Sequence, residues 1–198
     1  MLRLPRGAFM TSRGGRGLVE RARRLALTGT PGTGKTTVTA LLAVTGVVLE
    51  SVEQLAERHG CIGDVDPVDG ARPVDLDALS ASLRGEWSAP PDEITVIDGH
   101  LSHHLPVDAV IVLRCSPNVI EDRLRARGYS EAKISENCEW ELLGGAWNEA
   151  RGDIPWIEFD SSLDSAEQIV AALGNWMADG FKTASRDSVI DWVSVQEE

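Results

Sequence analysis

The sequence predicts an α/β fold in which helices cover both faces of a central parallel sheet. Short apolar runs typical of strands alternate with longer helical segments, which is the pattern of repeated β–α–β units. Two strand candidates, residues 94–98 and 109–113, are apolar on both faces, as the central strands of a parallel sheet are. A glycine-rich turn also links the strand candidate at residues 25–28 to a helical segment. These observations favour a three-layer α/β/α domain.

Start and stop signals in the sequence place the individual elements. Ser51 and Gln54 have the spacing of a capping box, which predicts the start of a helix at residue 52. Pro117 favours the first turn of a later helix, and Gly85 and Gly128 are typical residues for helix ends. We expect strands at residues 25–28, 47–49, 94–98, 109–113 and 154–159. We expect helices at residues 35–44, 52–59, 75–84, 117–127, 130–150 (interrupted at Gly144-Gly145) and 164–177.

The two ends of the chain differ in composition from its body. Residues 1–24 contain seven arginines and one glutamate, whereas the whole chain has a formal net charge of −12. We expect this basic leader to be disordered, with a basic arm for RNA as the alternative. Residues 181–198 are predicted to form a loose or weakly helical tail, so the folded domain is expected at residues 25–180.

The acidic body excludes several classes of function. Its charge repels nucleic acids and membrane surfaces, so we expect no membrane contact and no strong direct binding of nucleic acid. The composition suits a high-salt cytoplasm, although a GC-rich coding bias explains it equally well. No apolar run is long enough to span a bilayer and the N-terminus lacks an apolar export segment, so we expect a cytoplasmic protein. The cysteines, Cys61, Cys115 and Cys138, lack metal-site spacing and are expected to be reduced.

Residues 29–36, GTPGTGKT, match the phosphate-binding pattern G-x-x-x-x-G-K-[ST] at every defined position. The glycines of such a loop let backbone N–H groups approach phosphate oxygens, and the following helix N-terminus adds partial positive charge. Lys35 is expected to reach the β- and γ-phosphates of a nucleotide, and the Thr36 hydroxyl to ligate Mg²⁺. The loop therefore predicts binding of ATP or GTP.

Other sequence features narrow the class of nucleotide-binding protein. The chain lacks the N/T-K-x-D tetrapeptide that selects guanine in switch GTPases, and it lacks the L-S-G-G-Q signature of transporter ATPases. At 198 residues it is also short for a ring ATPase. Small α/β proteins with this loop are most often kinases of a small phosphoryl acceptor, an inference that rests on analogy of fold.

A second candidate motif is the strand ITVID, which ends in Asp98 and is followed closely by three of the four histidines. A carboxylate at this end of a central strand is expected to face the phosphate loop, where it can hold Mg²⁺ or orient a water molecule. His100 is predicted to lie beside the γ-phosphate, where its imidazole can position a nucleophile or stabilise a conformer. His103 and His104 are interpreted as capping or surface residues, because adjacent histidines cannot easily direct their ring nitrogens at one zinc ion.

Taken together, GTPGTGKTT, the D-x-H of VIDGH, IVLR and RLRARGYSEAKISEN resemble the adenylate kinase isoenzyme 6 family of archaea and eukaryotes. The resemblance covers residues 25–176 and implies the fold of a nucleoside monophosphate kinase. It implies a short monophosphate-binding arm at about residues 50–74 and a short lid at about residues 126–136. It also implies a second role as an ATPase in maturation of the small ribosomal subunit and its rRNA, acting through a ribosomal protein partner.

The resemblance also implies roles for individual residues. Arg127 matches a lid arginine that contacts ATP, and Asp98 and His100 match the D-x-H pair. The residues implied in ATP binding are Gly32, Gly34, Lys35, Thr36, Thr37 and Arg127. Those implied in catalysis are Lys35, Asp98, His100 and Arg127, and those implied in binding Mg²⁺ are Thr36 and Asp98.

Three arginines, Arg123, Arg125 and Arg127, form a local cluster in this acidic chain. A planar guanidinium can bind two phosphate oxygens at once, and positions four apart share one face of a helix. Arg127 is therefore predicted to be functional and Arg125 to lie on the surface. For Arg123, a role at the phosphates and a role in completing the helix end stay open.

We therefore expect a magnesium-dependent enzyme that transfers the terminal phosphate of ATP to AMP. A lid of about ten residues excludes water less well than a large one, so ATP hydrolysis without an acceptor is also expected. Two alternatives stay open: an ATP-driven ribosome assembly factor whose kinase activity is incidental, and a kinase of a non-nucleotide small molecule.

Overall fold

The structure is a computed structural model that describes residues 23–67, 70, 72–150, 154–182 and 189–195. Its strands are β1 (Arg24–Thr28), β2 (Val48–Ser51), β3 (Thr95–Asp98), β4 (Ala109–Arg114) and β5 (Trp156–Asp160). Its helices are α1 (Lys35–Leu42), α2 (Val52–Arg58), α3 (Leu76–Glu86), α4 (Pro117–Ala126), α5 (Glu131–Leu142), α6 (Ala166–Ala178) and α7 (Trp192–Val195). The strands form one parallel sheet in the order β2-β3-β1-β4-β5.

Alternate residues of the central strands build two separate cores, one on each face of the sheet. Leu25 and Leu27 of β1 pack with buried residues of α1 and α6. Ala26, which lies between them, packs instead with buried residues of α2 and α3. All six residues of β4 are buried, as a central parallel strand requires. Helices thus cover both faces, and the predicted three-layer α/β/α class is confirmed.

The local start signals that the sequence contains are confirmed. Ser51 caps α2 and forms the expected capping box with Gln54. Pro117 occupies the first turn of α4. The predicted interruption is also present, because α5 ends before Gly144, whose positive φ leads the chain into a separate 3₁₀ turn at Gly145–Glu149.

One predicted helix end is wrong. The helix α3 continues through Gly85 to Glu86, and the N–H of Trp87 still donates to the Leu83 carbonyl at 2.7 Å. A single glycine costs only about 1 kcal/mol relative to alanine within a helix, so it does not by itself end one. Leu83 before this position is buried, and Trp87 after it packs against the same core.

The described end of the chain is helical for one turn but is not loose. Trp192 of α7 is buried. The Ile190 N–H donates to Glu158 at 2.9 Å, and the Ile190 carbonyl accepts from Arg114 at 3.2 Å. Residues 189–195 are therefore part of the folded domain, contrary to the expectation of a tail.

Other predicted boundaries stay predictions. The basic leader lies outside the described residues as far as position 22, and Arg24 already belongs to β1. The limits of the arm and the lid are not marked by a break in the fold, since each includes parts of regular elements. Among the residues that the structure describes, no helix is long and apolar enough to cross a bilayer.

Candidate active site

The phosphate loop and Asp98 lie side by side at the carboxyl edge of the sheet. The strand β1 runs directly into the loop, and its Leu27 pairs in register with Asp98, the last residue of β3. Gly29 approaches β4 so closely that a Cβ atom at this position would collide with the Leu113 carbonyl oxygen. Only glycine fits there, and the two motifs are brought together as expected.

Lys35, the first residue of α1, closes the phosphate loop on itself. Its Nζ atom donates to the Gly29 carbonyl at 2.6 Å and to the Thr30 carbonyl at 3.1 Å. Burial lowers the pKa of Lys35 from 10.5 to about 8, although the charges of Asp98 and Glu141 act in the opposite direction. Phosphate oxygens carry a negative charge that the loop carbonyls lack. We therefore expect the Lys35 side chain to leave the two carbonyls and contact the phosphates when a nucleotide binds.

Asp98 presents a buried oxygen, Oδ1, that has no hydrogen-bond partner in the described part of the chain. Burial raises the pKa of Asp98, while the charge of Lys35 and a hydrogen bond from Thr39 lower it. Thr36, next to Lys35, is exposed at the start of α1. Carboxylate and hydroxyl oxygens are hard donors of the kind that Mg²⁺ selects, so this pair of residues fits the expected metal.

His100 lies on a turn that is held close to the phosphate loop. Its carbonyl oxygen accepts a hydrogen bond from Thr28 Oγ1 at 2.8 Å. Gly99 has a φ of 157°, and a Cβ atom there would collide with Val52 at the start of α2. The residue is exposed at the surface, but the surrounding protein partly desolvates its ring, and this desolvation and then the charge of Lys35 lower the pKa of His100 below 6.5. It is therefore neutral near pH 7 and can accept a hydrogen bond.

A cleft of about 410 Å³ opens beside the phosphate loop, between α1, α4 and the segment that follows β5. Arg127, at the end of α4, lines this cleft together with Gly32, Gly34 and Thr37. The charge of Arg127 also lowers the pKa of Lys35. Four of the six residues expected to bind ATP thus line one opening, whereas Lys35 and Thr36 do not line it.

The other two arginines of the cluster make different contacts. Arg123 donates to the Gly32 carbonyl at 2.8 Å and to the Ser161 carbonyl at 3.4 Å. It therefore links the phosphate loop to the segment after β5, and it also lines the cleft, so a role at the phosphates and a supporting role both stay open. Arg125 is exposed and pairs with glutamates of α4 and α5, as predicted for a surface residue.

The sequence did not predict the buried ion pairs that contact the phosphate loop through Thr30. Thr30 Oγ1 donates to Glu141 Oε2 at 2.5 Å. The other oxygen of Glu141 accepts from Arg114 Nε at 2.6 Å and from Trp192 Nε1 at 3.1 Å. Arg114 also pairs with Glu158 at 2.7 Å. A signal was available, because the arginine that ends the apolar strand IVLR needs acidic partners once it is buried.

His103 is buried, so the interpretation of this residue as a capping or surface histidine is wrong. Its Nδ1 lies 2.9 Å from Thr28 Oγ1, and its Nε2 lies 2.9 Å from Glu149 Oε2. The Nε2 of His104 lies 3.3 Å from the same carboxylate oxygen. The 3₁₀ turn Ser102–His104 places the centroids of the two imidazole rings 4.2 Å apart. The Nε2 atoms of these adjacent histidines therefore do face the same carboxylate oxygen.

Several known sequences related to this chain share one name. A family model described as an AAA domain matches residues 25–144. A protein from Pyrococcus abyssi named "Putative adenylate kinase" is 40% identical over 88% of this chain and 93% of its own length. A protein of the same name from Natronomonas pharaonis is 41% identical over 76% of this chain and 87% of its own length. The chain belongs to this archaeal adenylate kinase family. The resemblance that the motifs predict is confirmed.

Solved structures of more distant proteins share the fold. Shikimate kinase from Acinetobacter baumannii, in complex with shikimate, aligns with a TM-score of 0.55 at 12% identity and covers 81% of this chain and 96% of its own. A gluconokinase from Sinorhizobium meliloti aligns with a TM-score of 0.51 at 18% identity and covers 80% of this chain and 93% of its own. At these identities the likeness supports the fold alone, and it agrees with the adenylate kinase family.

Proposed function

We propose that this protein is a magnesium-dependent nucleoside monophosphate kinase that transfers the terminal phosphate of ATP to AMP. The proposal is carried by the position of the complete phosphate loop beside the buried Oδ1 of Asp98, which no described residue partners. The adjacent cleft of about 410 Å³ has the size of a small-molecule site. Membership of the adenylate kinase family supports AMP as the acceptor. We place the reaction in the cytoplasm, as an enzyme that draws on the cellular ATP pool.

ATP is assigned to the phosphate loop and the cleft. The backbone N–H groups that would bind its phosphates are those of Gly32, Gly34, Lys35, Thr36 and Thr37. The side chain of Lys35 would move from the loop carbonyls to the β- and γ-phosphates, whose negative charge favours the charged form of this buried amine. Arg127 would bind the transferred phosphoryl group from the cleft.

Asp98, Thr36 and His100 are assigned to the reacting end of the nucleotide. Asp98 and Thr36 would hold Mg²⁺, which when bound supplies positive charge against the charge that develops on the phosphoryl group. His100, as an exposed and neutral imidazole, can accept a hydrogen bond from the attacking group and orient it. Orientation of two bound reactants is the largest contribution a protein can make to this reaction besides charge.

The acceptor is assigned to the arm at about residues 50–74. The start of α2 lies against the Gly99 turn, so a monophosphate bound on the arm would lie near His100. The lid, at about residues 126–136, consists of the turn between α4 and α5 and the first part of α5. Because so short a segment excludes water incompletely, we expect slow ATP hydrolysis when no acceptor is present.

A second candidate function is ATP-driven maturation of the small ribosomal subunit and its rRNA through a ribosomal protein partner. A neutral, exposed His100 can orient a water molecule as well as an acceptor. The formal net charge of −12 also complements the basic surfaces typical of ribosomal proteins. In this function the kinase activity would be incidental, and the protein itself would not contact rRNA strongly.

The experiment that tests the primary proposal is a panel of acceptors. Purified protein is incubated with Mg²⁺ and ATP, alone or with AMP, CMP, GMP, UMP, shikimate or gluconate, and products are separated by chromatography. We expect conversion of AMP to ADP well above the slow hydrolysis seen with ATP alone. If no monophosphate increases the formation of ADP above that with ATP alone, the kinase proposal is overturned. An increase only with gluconate or shikimate would instead indicate a kinase of a non-nucleotide small molecule.

Two variants make the panel specific to this site. Lys35→Met is expected to reduce transfer at least about a hundredfold, because it removes the cation that contacts the transferred group. Lys182→Met removes the same charge from an exposed position and should leave transfer unchanged. For His100→Gly, both candidate functions predict loss of activity, but only an assembly ATPase also predicts loss of nucleotide-dependent capture of ribosomal proteins.

A further inference from the structure

A group of three side chains with metal-binding atoms lies behind the His100 turn. It consists of His103, His104 and Glu149 and is called the histidine–glutamate cluster below. Within the described ranges it is the one group of three or more His, Cys, Asp or Glu residues whose donor atoms lie within 4.8 Å of one another. No step of the proposed phosphoryl transfer uses these side chains.

The donor atoms of the cluster are spaced as the ligands of one ion would be. The Oε2 atom of Glu149 lies 2.9 Å from Nε2 of His103 and 3.3 Å from Nε2 of His104. Zinc bonds to nitrogen and oxygen are about 2.0–2.1 Å long, which puts neighbouring ligands of a tetrahedral site about 3.3–3.4 Å apart. The observed nitrogen–oxygen distances are close to this spacing.

Thr28 determines which nitrogen of His103 is available to a metal. The Thr28 hydroxyl has one hydrogen, and its oxygen lies 2.8 Å from the His100 carbonyl and 2.9 Å from His103 Nδ1. A carbonyl can only accept, so both contacts are satisfied when the hydroxyl donates to it and Nδ1–H donates to the hydroxyl. The third contact, between Nε2 and the Glu149 carboxylate at 2.9 Å, needs a proton between the two atoms when no metal is bound, and a metal ion would replace that proton. Metal-binding histidines are commonly oriented by such a hydrogen bond from their other nitrogen.

One ligand residue of the cluster is buried, and the other two are partly exposed to solvent. The side chain of His103 is 2% exposed, whereas those of His104 and Glu149 are 25% and 31% exposed. The ring of Trp156 packs edge-on against His103 at 6.0 Å between centroids. An ion can therefore reach the cluster from one side, and water can complete its coordination.

We propose that the histidine–glutamate cluster binds a zinc ion through two imidazole nitrogens and one carboxylate oxygen. This ligand set suits zinc, whereas Mg²⁺ prefers oxygen ligands such as those of Asp98 and Thr36. The ion joins Glu149, at the end of the 3₁₀ turn after α5, to His103, which contacts Thr28 beside the phosphate loop. Occupation thus fixes one edge of the nucleotide site.

Competition titration tests the site directly. Metal-free protein is kept in excess Mg²⁺, so that zinc at the Asp98 site is not counted, and is titrated with Zn²⁺ against a colorimetric zinc chelator. We expect one ion per chain for the unmodified protein and at least about tenfold weaker binding by His104→Gln and by Glu149→Gln. Both side chains are partly exposed, so these variants are expected to fold, and circular dichroism checks that they do. Co²⁺ should produce the visible absorption of a tetrahedral site in the unmodified protein but not in His104→Gln or Glu149→Gln.

The matched control is His59→Gln. His59 also pairs with a glutamate, Glu86, at 3.0 Å, but the two belong to no three-membered group among the described residues. This variant should bind zinc as the unmodified protein does. The proposal is overturned if the unmodified protein binds zinc no more tightly than His104→Gln, or if His59→Gln loses as much affinity as the cluster variants.

Discussion

The two sides of the phosphate loop are held by different kinds of chemistry. On one side, Thr30 contacts Glu141, a carboxylate that is neutralised in the interior by Arg114. On the other side, Thr28 contacts a histidine whose further partners reach the surface. The first group consists of permanent charges sealed from water, and the second of groups that can exchange a proton or an ion with solvent.

This difference assigns the two sides separate roles. A buried charge without a partner is strongly destabilising. We therefore expect substitutions on the Thr30 side to lower the free energy of unfolding most. The Thr28 side carries no obligatory charge, so substitutions there are expected to affect the geometry of the His100 turn more than stability. Substitutions matched across the loop test this division.

The largest effect is expected for Arg114→Met. The substitution leaves Glu141 and Glu158 facing each other in the interior without the cation that binds both at 2.6 and 2.7 Å. We expect the free energy of unfolding to fall by at least about 3 kcal/mol, measured by urea denaturation. Arg125→Met removes the same charge from an exposed position and should cause no measurable change. Equal effects in the two variants would contradict the account.

A smaller effect is expected for Thr30→Val. The change keeps the shape of the side chain but removes the donor to the Glu141 carboxylate, and hydrogen bonds to charged groups are the stronger ones. Stability should fall by about 2 kcal/mol in the same denaturation experiment. Thr30→Ser restores the hydroxyl and should recover most of the loss; no recovery would mean that packing, not the hydrogen bond, is responsible.

Thr28→Val is expected to cost less stability but to alter the site. Its neutral contacts with the His100 carbonyl and His103 contribute about 1 kcal/mol. Because the His100 turn loses a contact, the rate of transfer should fall in this variant while ATP affinity stays close to that of the unmodified protein. Steady-state kinetics with separate titration of ATP would show this. A loss of stability larger than that of Thr30→Val would reverse the proposed division.

The smallest effect is a proton taken up when ATP binds. The pKa of Lys35 is about 8 in the free protein, so above that pH the side chain is increasingly neutral. Bound phosphates favour the charged form and raise this pKa, so binding at about pH 8.5 should take up more than half a proton, and at about pH 7 very little. Calorimetry in buffers of different ionisation enthalpy measures the uptake. The Lys35→Met variant should show none.

The sequence predicts what local signals determine and fails where distant elements meet. The phosphate loop, Asp98 at its strand end and the capping box of Ser51 follow from residues that are adjacent in the chain. The contact between Thr30 and Glu141 joins positions 111 residues apart, and no local pattern marks it. Its existence depends on how α5 packs beside the loop.

The histidines illustrate the same limit. The sequence shows that His103 and His104 are adjacent but not that a 3₁₀ turn buries one and leaves the other partly exposed. Likewise, the sequence predicts a loose or weakly helical tail at residues 181–198, whereas the burial of Trp192 depends on the network around Arg114. Packing of this kind follows from the assembled sheet and helices.

A crystal structure with Mg²⁺ and a non-hydrolysable ATP analogue tests the central claim. We predict that the phosphates lie in the loop at residues 29–37, that Lys35 Nζ leaves the Gly29 and Thr30 carbonyls for phosphate oxygens, and that the contact between Thr30 and Glu141 is unchanged. Asp98 and His100 should face the terminal phosphate. A nucleotide bound elsewhere, or bound here with Asp98 and His100 directed away from it, would contradict the account.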